Sequence, residues 1–398
     1  MRTTTSLFIE NPKEFKEKIL NWSNQFREVV YLDSNDYPQK YSSYDMVLAV
    51  EAFTTIKTDY FDAFSKLSDY YHTTKDWIFG YMSYDLKNDV EKLSSRNFDG
   101  LGFADLFFFQ PKKLFLLKGN QLEIQYLKMV DDEIEEDFKE IIIPIAIGSQ
   151  KSKNSQISIN QRISKENYLQ KVGKVLEHIG QGDIYEANFC MEFYTENAQI
   201  NPLETYKNLN TISEPPFSVY FKNENHYVLC SSPERYLKNE NSKIISQPIK
   251  GTSKRFEDSD LDKQSKNELQ NNPKERSENI MIVDLVRNDL SRTAEKSTVE
   301  ELCGAYSFKQ VHHLVSTITS IKKEEESVIE VIKNSFPMGS MTGAPKISAM
   351  QIIEKQEETK RGVYSGSIGY FTPNGDFDFN VVIRSILYNS KNQYLSFS

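Results

Sequence analysis

"NPKERSENIMIVDLVRND", residues Asn272 to Asp289, reads as a helix over Glu275–Asp289. Glu275 and Glu278 stand three apart near its start, a spacing that brings both carboxylates to one face. Acidic side chains also favour a helix N-terminus through the macrodipole. Spacing alone therefore leaves two readings open. One is a solvated helix start; the other is a seat for a hard cation such as Mg²⁺, which takes one or two carboxylates and keeps several waters.

The neighbouring segments carry more chemistry. Upstream, "SQPIKGTSKR" (Ser246–Arg255) sets Lys250 where a strand enters a turn. It is either a wet strand end or an amine aimed into a site. "SSPERYL" places Glu234 at a turn after the strand "HYVLC". Downstream, "QVHHLVS" sets His312 and His313 on opposite faces of a strand, one of them buried and the other solvated. "FPMGSMTGAPKISAM" (Phe336–Met350) reads as a turn-rich loop opening a helix, with exposed amides able to meet an anion. It lacks the Walker A pattern. Arg384 interrupts the apolar strand "FDFNVVIRSILY". A buried arginine needs an anionic partner, and a substrate carboxylate suits its planar fork.

The bulk composition excludes several classes. The 398-residue chain has a formal charge of −9 and 38% hydrophobic residues, with 25 Phe and 22 Tyr to supply core area. An acidic chain without a basic face argues against nucleic acid. No stretch has the apolar length of a membrane span, and the N-terminus lacks a signal-peptide run. Cys190, Cys230 and Cys303 form no CxxC pair, which fits a reducing, cytoplasmic setting rather than a disulfide or zinc framework.

Asn11-Pro12 opens an amphipathic helix carrying Phe15, Ile19, Trp22 and Phe26. "ADLFFFQ", "KLFLLKG" and "LEIQYLKM" read as a meander turning at Gly119-Asn120. The polar "GSQKSKNSQISINQR" (residues 148–162) reads as a linker. A helix capped by Ser164 carries Tyr168, Val172, Val175, Leu176 and Ile179 on one side and stops at Gly180 and Gly182. Strands and helices come in blocks, which favours an α+β fold with antiparallel sheets.

Taken together, "GDIYEANF", "SSPERYL", "PIKGT", "KERSENIMIVDLVRNDLSR", "VHHLVS", "FPMGSMTGAPKISAMQIIE" and "RGVYSGSIGYF…FNVVIRS" resemble, in family order, the chorismate-utilising enzymes. That family includes the anthranilate, aminodeoxychorismate, isochorismate and salicylate synthases. The pattern is closest to component I of the aminodeoxychorismate (para-aminobenzoate) synthases, which carry Lys before Gly-Thr where anthranilate synthases carry Ala. Water-adding members carry a lysine base near Glu186, and amine-adding members usually carry Gln there. Glu186 departs from both.

The resemblance implies two large, mostly antiparallel sheets packed as a sandwich with helices outside. Residues 1–150 would be interwoven with a chorismate-binding region over 160–398. The family continues past this point into a further segment, so a truncated chain, or a catalytically silent chorismate-binding subunit, is also implied. By resemblance, Lys250 attacks chorismate as an uncharged amine, Glu234 is the general acid and later base, and His313 lies near the reacting ring. Gly251, Thr252, Thr342, Tyr364 and Arg384 would bind substrate. Glu278, and Glu275 one water further out, would hold Mg²⁺. Ser34, in "LDS", matches part of a tryptophan site, although "SEPPF" departs from it. The expected partner is a glutamine amidotransferase subunit that supplies ammonia. Anthranilate synthase component I is the alternative activity.

Overall fold

The computed structural model describes residues 1–143 and 157–398, so most of the segment read as a linker lies outside the described residues. Two large antiparallel sheets pack face to face. The first runs from Arg2–Phe8 through Gln121–Leu127, Leu106–Lys118, Met46–Thr58, Glu28–Asp33, Phe217–Asn223 and His226–Ser232 to Ser385–Asn389 and Tyr394–Phe397. The second starts again from Leu106–Lys118. It continues through Ile78–Met82, Ser367–Phe371, Phe377–Asn380, Arg235–Glu240 and Lys243–Gln247 to the long strand Val311–Lys322.

Alternation along the strands explains the layers. In Glu28–Asp33, Val29 and Tyr31 pack toward the helices Pro12–Ser23, Ile134–Ile142 and Pro202–Ser213, while Val30 and Leu32 face the other sheet. In Ile78–Met82, Phe79 and Tyr81 face inward. Ile78 and Met82 pack toward the helices Ala63–Thr74, Pro273–Ser291 and Val328–Ser335. Period-two patterning thus fills three apolar layers with one set of strands.

The sheets are joined by two bent ribbons. One pairs Met46–Thr58 with Leu106–Lys118. In the latter, Phe107 and Phe109 face the inter-sheet layer at one end, and Leu114 and Leu116 do so at the other, a change of parity across the bend. The facing strand carries a bulge between Ala52 and Thr54, and Glu51 beside it has φ +61°. The meander read as two strands, "ADLFFFQ" and "KLFLLKG", is therefore one long strand that serves both sheets.

The second ribbon matters more for function. His226–Ser232 pairs with Ser385–Asn389 in the first sheet, and Arg235–Glu240 pairs with Phe377–Asn380 in the second. Residues 233–234 and 381–384 cross the seam side by side. The Val381 amide donates to the Glu234 carbonyl (3.0 Å), and the Ser231 amide donates to the Arg384 carbonyl (3.2 Å). The stretch "FDFNVVIRSILY" is thus two strands in two sheets, and Arg384 sits off both with φ +51°. Strands that switch sheets through a corner account for the split.

Several helix ends follow the sequence. Asn11 and Ser164 accept from amides of the first turns of their helices, and Gly182 closes the helix Lys165–Gln181 at φ +82°. That helix buries less than its pattern predicts. Val175 is buried against Ile184, Ala349 and Ile352, whereas Leu176 is exposed.

Behind the seam, Arg361 is fully enclosed. Its guanidinium donates to the Glu357 carboxylate (2.7 and 3.0 Å), to the Met341 carbonyl (2.6 Å) and to the Asn188 carbonyl (2.6 Å). It thereby ties the loop before helix Lys346–Gln356 to the segment after Glu186–Ala187. Truncating one member of a buried ion pair strands the other, so Arg361→Ala should destabilise the fold by about 3–5 kcal/mol. Equilibrium urea unfolding checks this.

Candidate active site

Lys250 occupies a β-bulge. Ile249–Lys254 pairs with Val311–Lys322, with Ile249 opposite Val315 and Thr252 opposite His313, and the register shifts between them. The extra residue re-aims the side chains around it. Gly251 within the bulge has φ +96°, and a Cβ there would lie 3.1 Å from the Glu275 carboxylate and from Leu314. Glycine is required for both reasons. Asn279, buried one turn beyond Glu275, donates to the carbonyls of Lys250 (3.2 Å) and Leu314 (3.3 Å) and accepts from Ser316 Oγ (2.5 Å). The helix read from the two glutamates therefore pins the bulge from outside.

The Lys250 ammonium turns inward and forms an ion pair with Glu186. Both side chains are largely enclosed, 18% and 16% exposed. Glu186 is held by the two-residue strand Glu186–Ala187, which pairs with Gly343–Ala344. The amine that the resemblance implies attacks uncharged has a carboxylate partner here, because the position that departs from the family pattern faces it.

Glu234 is not the exposed turn residue that a strand end suggests. It is 4% exposed. Its Oε1 accepts from Ser340 Oγ (2.7 Å) and, more weakly, from the Ile249 amide (3.4 Å). Burial raises its carboxyl to about 7, against the opposing pull of the Ser340 hydrogen bond, the Ile249 amide, Lys250 and Arg384. A carboxyl tuned to that range exchanges protons near neutrality.

His312 and His313 point to opposite faces as the strand dictates, but both are buried. His312 lies 3.1 Å from Asp262 and 2.9 Å from Ser307 Oγ. His313 Nδ1 lies 2.9 Å from Thr252 Oγ1 and 3.3 Å from the Gly251 carbonyl; its Nε2 lies 2.5 Å from Arg384 Nη2. A guanidinium only donates, so Nε2 accepts and Nδ1 carries the proton. Burial, followed by the Arg384 charge, lowers His313 to about 4, so the imidazole is neutral at pH 7.

Arg384 is exposed rather than buried, because its backbone lies on the crossover and not within a strand. It reaches His313 rather than a carboxylate of the protein. Its left-handed backbone is the kind of local strain found at functional sites. Tyr364 lines a crevice with Cys190, Glu357 and Arg361. Burial pushes the Cys190 thiol up to about 12, which makes it an inert packing residue.

The loop Phe336–Ala344 is buried rather than exposed. The amides of Met341 and Thr342 bond back to Met338 and Gly339, and the Thr342 hydroxyl donates to the Gly339 carbonyl (3.2 Å). Ser34 lies away from this cluster. Its hydroxyl donates to the Asp45 carbonyl (3.2 Å), and it lines an inter-sheet cavity with Tyr44, Phe217, Arg235 and Asn380.

Glu275 lies over Gly251, and Glu278 one turn on is partly exposed, with Lys274 3.7 Å away. Among the described residues no group of three or more His, Cys, Asp or Glu side chains is placed to hold a metal. Two carboxylates suit Mg²⁺ completed by water and substrate. Sequence reading missed two supporting residues, Ser340 and Asn279. Asn279 is recoverable from its place four residues after Glu275, on the same helix face.

A family model described as chorismate binding enzyme matches residues 27–397. The chain belongs to the chorismate-binding enzyme family. It is 30% identical over 322 residues to aminodeoxychorismate synthase component 1 of Bacillus subtilis, covering 77% of this chain and 68% of that protein. It is 38% identical over 226 residues to the Escherichia coli protein of the same name, covering 56% and 50%. It is 32% identical over 317 residues to an anthranilate synthase component I-like protein of Synechocystis, covering 79% and 65%. The chain thus spans only about half to two thirds of these relatives. The fold matches anthranilate synthase component I of Streptococcus pneumoniae (TM-score 0.78, 22% identity, 91% and 88% covered). It also matches the menaquinone-specific isochorismate synthase of E. coli (0.78, 14%, 100% and 87%). No helix among the described residues is long and apolar enough to cross a membrane.

The raised Glu234 carboxyl has a consequence for stability. Its folded-state value lies above its unfolded one, so its stabilising contribution is complete below about 4.5 and lost as pH rises through about 7. Above pH 7 the buried charge costs on the order of a few kcal/mol. Glu234→Gln should therefore melt higher than the parent at pH 8, with the gain shrinking toward pH 5. Calorimetric scans at the two pH values check it.

Proposed function

We propose that this family member is component I of an aminodeoxychorismate synthase, which replaces the C4 hydroxyl of chorismate by an amino group. The observation that carries the reading is the inward-facing Lys250 amine, placed by the bulge beside the buried acid Glu234. The curated aminodeoxychorismate synthase relatives support it. The C4 hydroxyl is a poor leaving group and departs as water when Glu234 protonates it. Lys250 forms a bond to C2 as the C4–O bond breaks, and ammonia then bonds to C4 and releases the lysine. Two displacements retain configuration and split one hard step into two. The product amine returns its extra proton to Glu234.

Arg384, fixed by neutral His313, offers its remaining donors to a substrate carboxylate. Thr252 and Gly251 carry the His313 proton side of that contact. Glu278, with Glu275 behind it, would hold Mg²⁺, which when bound supplies positive charge to the ring carboxylate. Ammonia would come from a glutamine amidotransferase partner in a cytoplasm that keeps the three cysteines reduced. Ser34, in the inter-sheet cavity, would form part of a tryptophan site.

A second reading, anthranilate synthase component I, is favoured by the name of the Synechocystis relative. The two separate on incubation with chorismate, Mg²⁺ and ammonium at pH 8. The expected outcome is aminodeoxychorismate without fluorescent anthranilate, and a fall of at least about a hundredfold in Lys250→Ala. Release of anthranilate by the parent chain reverses the assignment.

A further inference from the structure

Glu186 is the group in the site whose hydrogen bonding is incomplete. Its Oε1 meets the Lys250 ammonium, while its Oε2, shut off from solvent, has no hydrogen-bond partner among the described residues. A buried charge pair is well compensated only when the remaining lone pairs are also satisfied. A carboxylate lacking donors on one oxygen is a poor buried anion and a ready proton acceptor.

The other charged groups around the pair do not compete for that role. Glu234, from the crossover, is the acid already assigned to the leaving hydroxyl. Glu275 lies against Gly251. His313 and Arg384 are bonded to one another. Lys346, from the helix behind Gly343–Ala344, is bound to Asp289 and to the Ser335 carbonyl (3.0 Å). Of the two carboxyls near Lys250, Glu186 is the one its ammonium contacts directly, while Glu234, which the lysine charge also reaches, is held by Ser340.

Resting on the reading of Lys250 as nucleophile, we propose that Glu186 is the catalytic proton acceptor that turns the Lys250 ammonium into a free amine. When substrate closes the site to water, the N–H bond on Nζ breaks and an O–H bond forms on Glu186. Loss of solvent favours the neutral pair over the charged one. The freed lone pair forms the N–C2 bond. The C4–O electrons leave with the oxygen, which takes the Glu234 proton and departs as water. After ammonia has displaced the lysine, its nitrogen leaves as a neutral amine and takes its proton back from Glu186. The site carries its own base beside the nucleophile and needs no free lysine in the resting state.

The test is rapid-quench mass spectrometry of the chain mixed with chorismate and Mg²⁺ without ammonia, from pH 6 to 7, in parent, Glu186→Gln and Glu186→Asp. The parent should form the lysine adduct at a rate that changes less than about threefold over that range. Glu186→Gln should be slower by about a hundredfold at pH 7 and gain about fivefold from pH 6 to 7, because its amine must first lose the proton to solvent while Glu234, at about 7, must keep its own. Glu186→Asp, which keeps a carboxylate, should keep the flat profile. A Glu186→Gln rate equal to or above the parent's at pH 7 overturns the inference, since the carboxylate would then only hold the lysine charged. A parent chain that forms product but no adduct sinks the nucleophile reading itself, a separate outcome.

Discussion

A lysine ammonium and a glutamate carboxylate meet where two sheets are stitched together, and the site depends on that meeting being nearly dry. The Lys250–Glu186 pair is possible because a bulge at Gly251 turns the lysine inward and a two-residue strand at Glu186–Ala187 brings the acid to it. In water such a pair is worth little. In an enclosed seam the two charges are screened much less, so each fixes the position of the other.

The seam is a product of the fold rather than an addition to it. Residues 233–234 and 381–384 are the points at which one antiparallel ribbon leaves the first sheet for the second, and they carry Glu234 and Arg384. Strand pairing leaves off there, so side chains are directed along the seam instead of alternating between core and helix layer. The same geometry buries Glu234 and leaves Arg384 exposed at positive φ. The helix Pro273–Ser291 closes the arrangement by holding the Lys250 carbonyl through Asn279.

Much of this was legible in the sequence where the cause is local. The caps at Asn11 and Ser164, the glycine stop at Gly182 and the helix over Glu275–Asp289 follow from side chains close in sequence. The family and the sandwich were legible from motif order. The sequence hid what depends on pairing between distant strands. Phe377–Tyr388 looks like one apolar strand because both sheets bury such residues, and only the crossover shows it to be two. Glu234 reads as a surface residue until Ser340, over a hundred positions away, is placed against it. Glu186 stood out as a family departure, but its meaning appeared only once Lys250 was seen opposite.

The central claim is that Lys250 itself becomes bonded to the substrate. The most direct measurement is peptide mapping of acid-quenched protein after mixing with chorismate and Mg²⁺ in the absence of ammonia. The account predicts a mass gain equal to chorismate less one water on the peptide containing Lys250, discharged when ammonium is added. A folded, turning-over chain whose Lys250 peptide stays unmodified at every time point contradicts it.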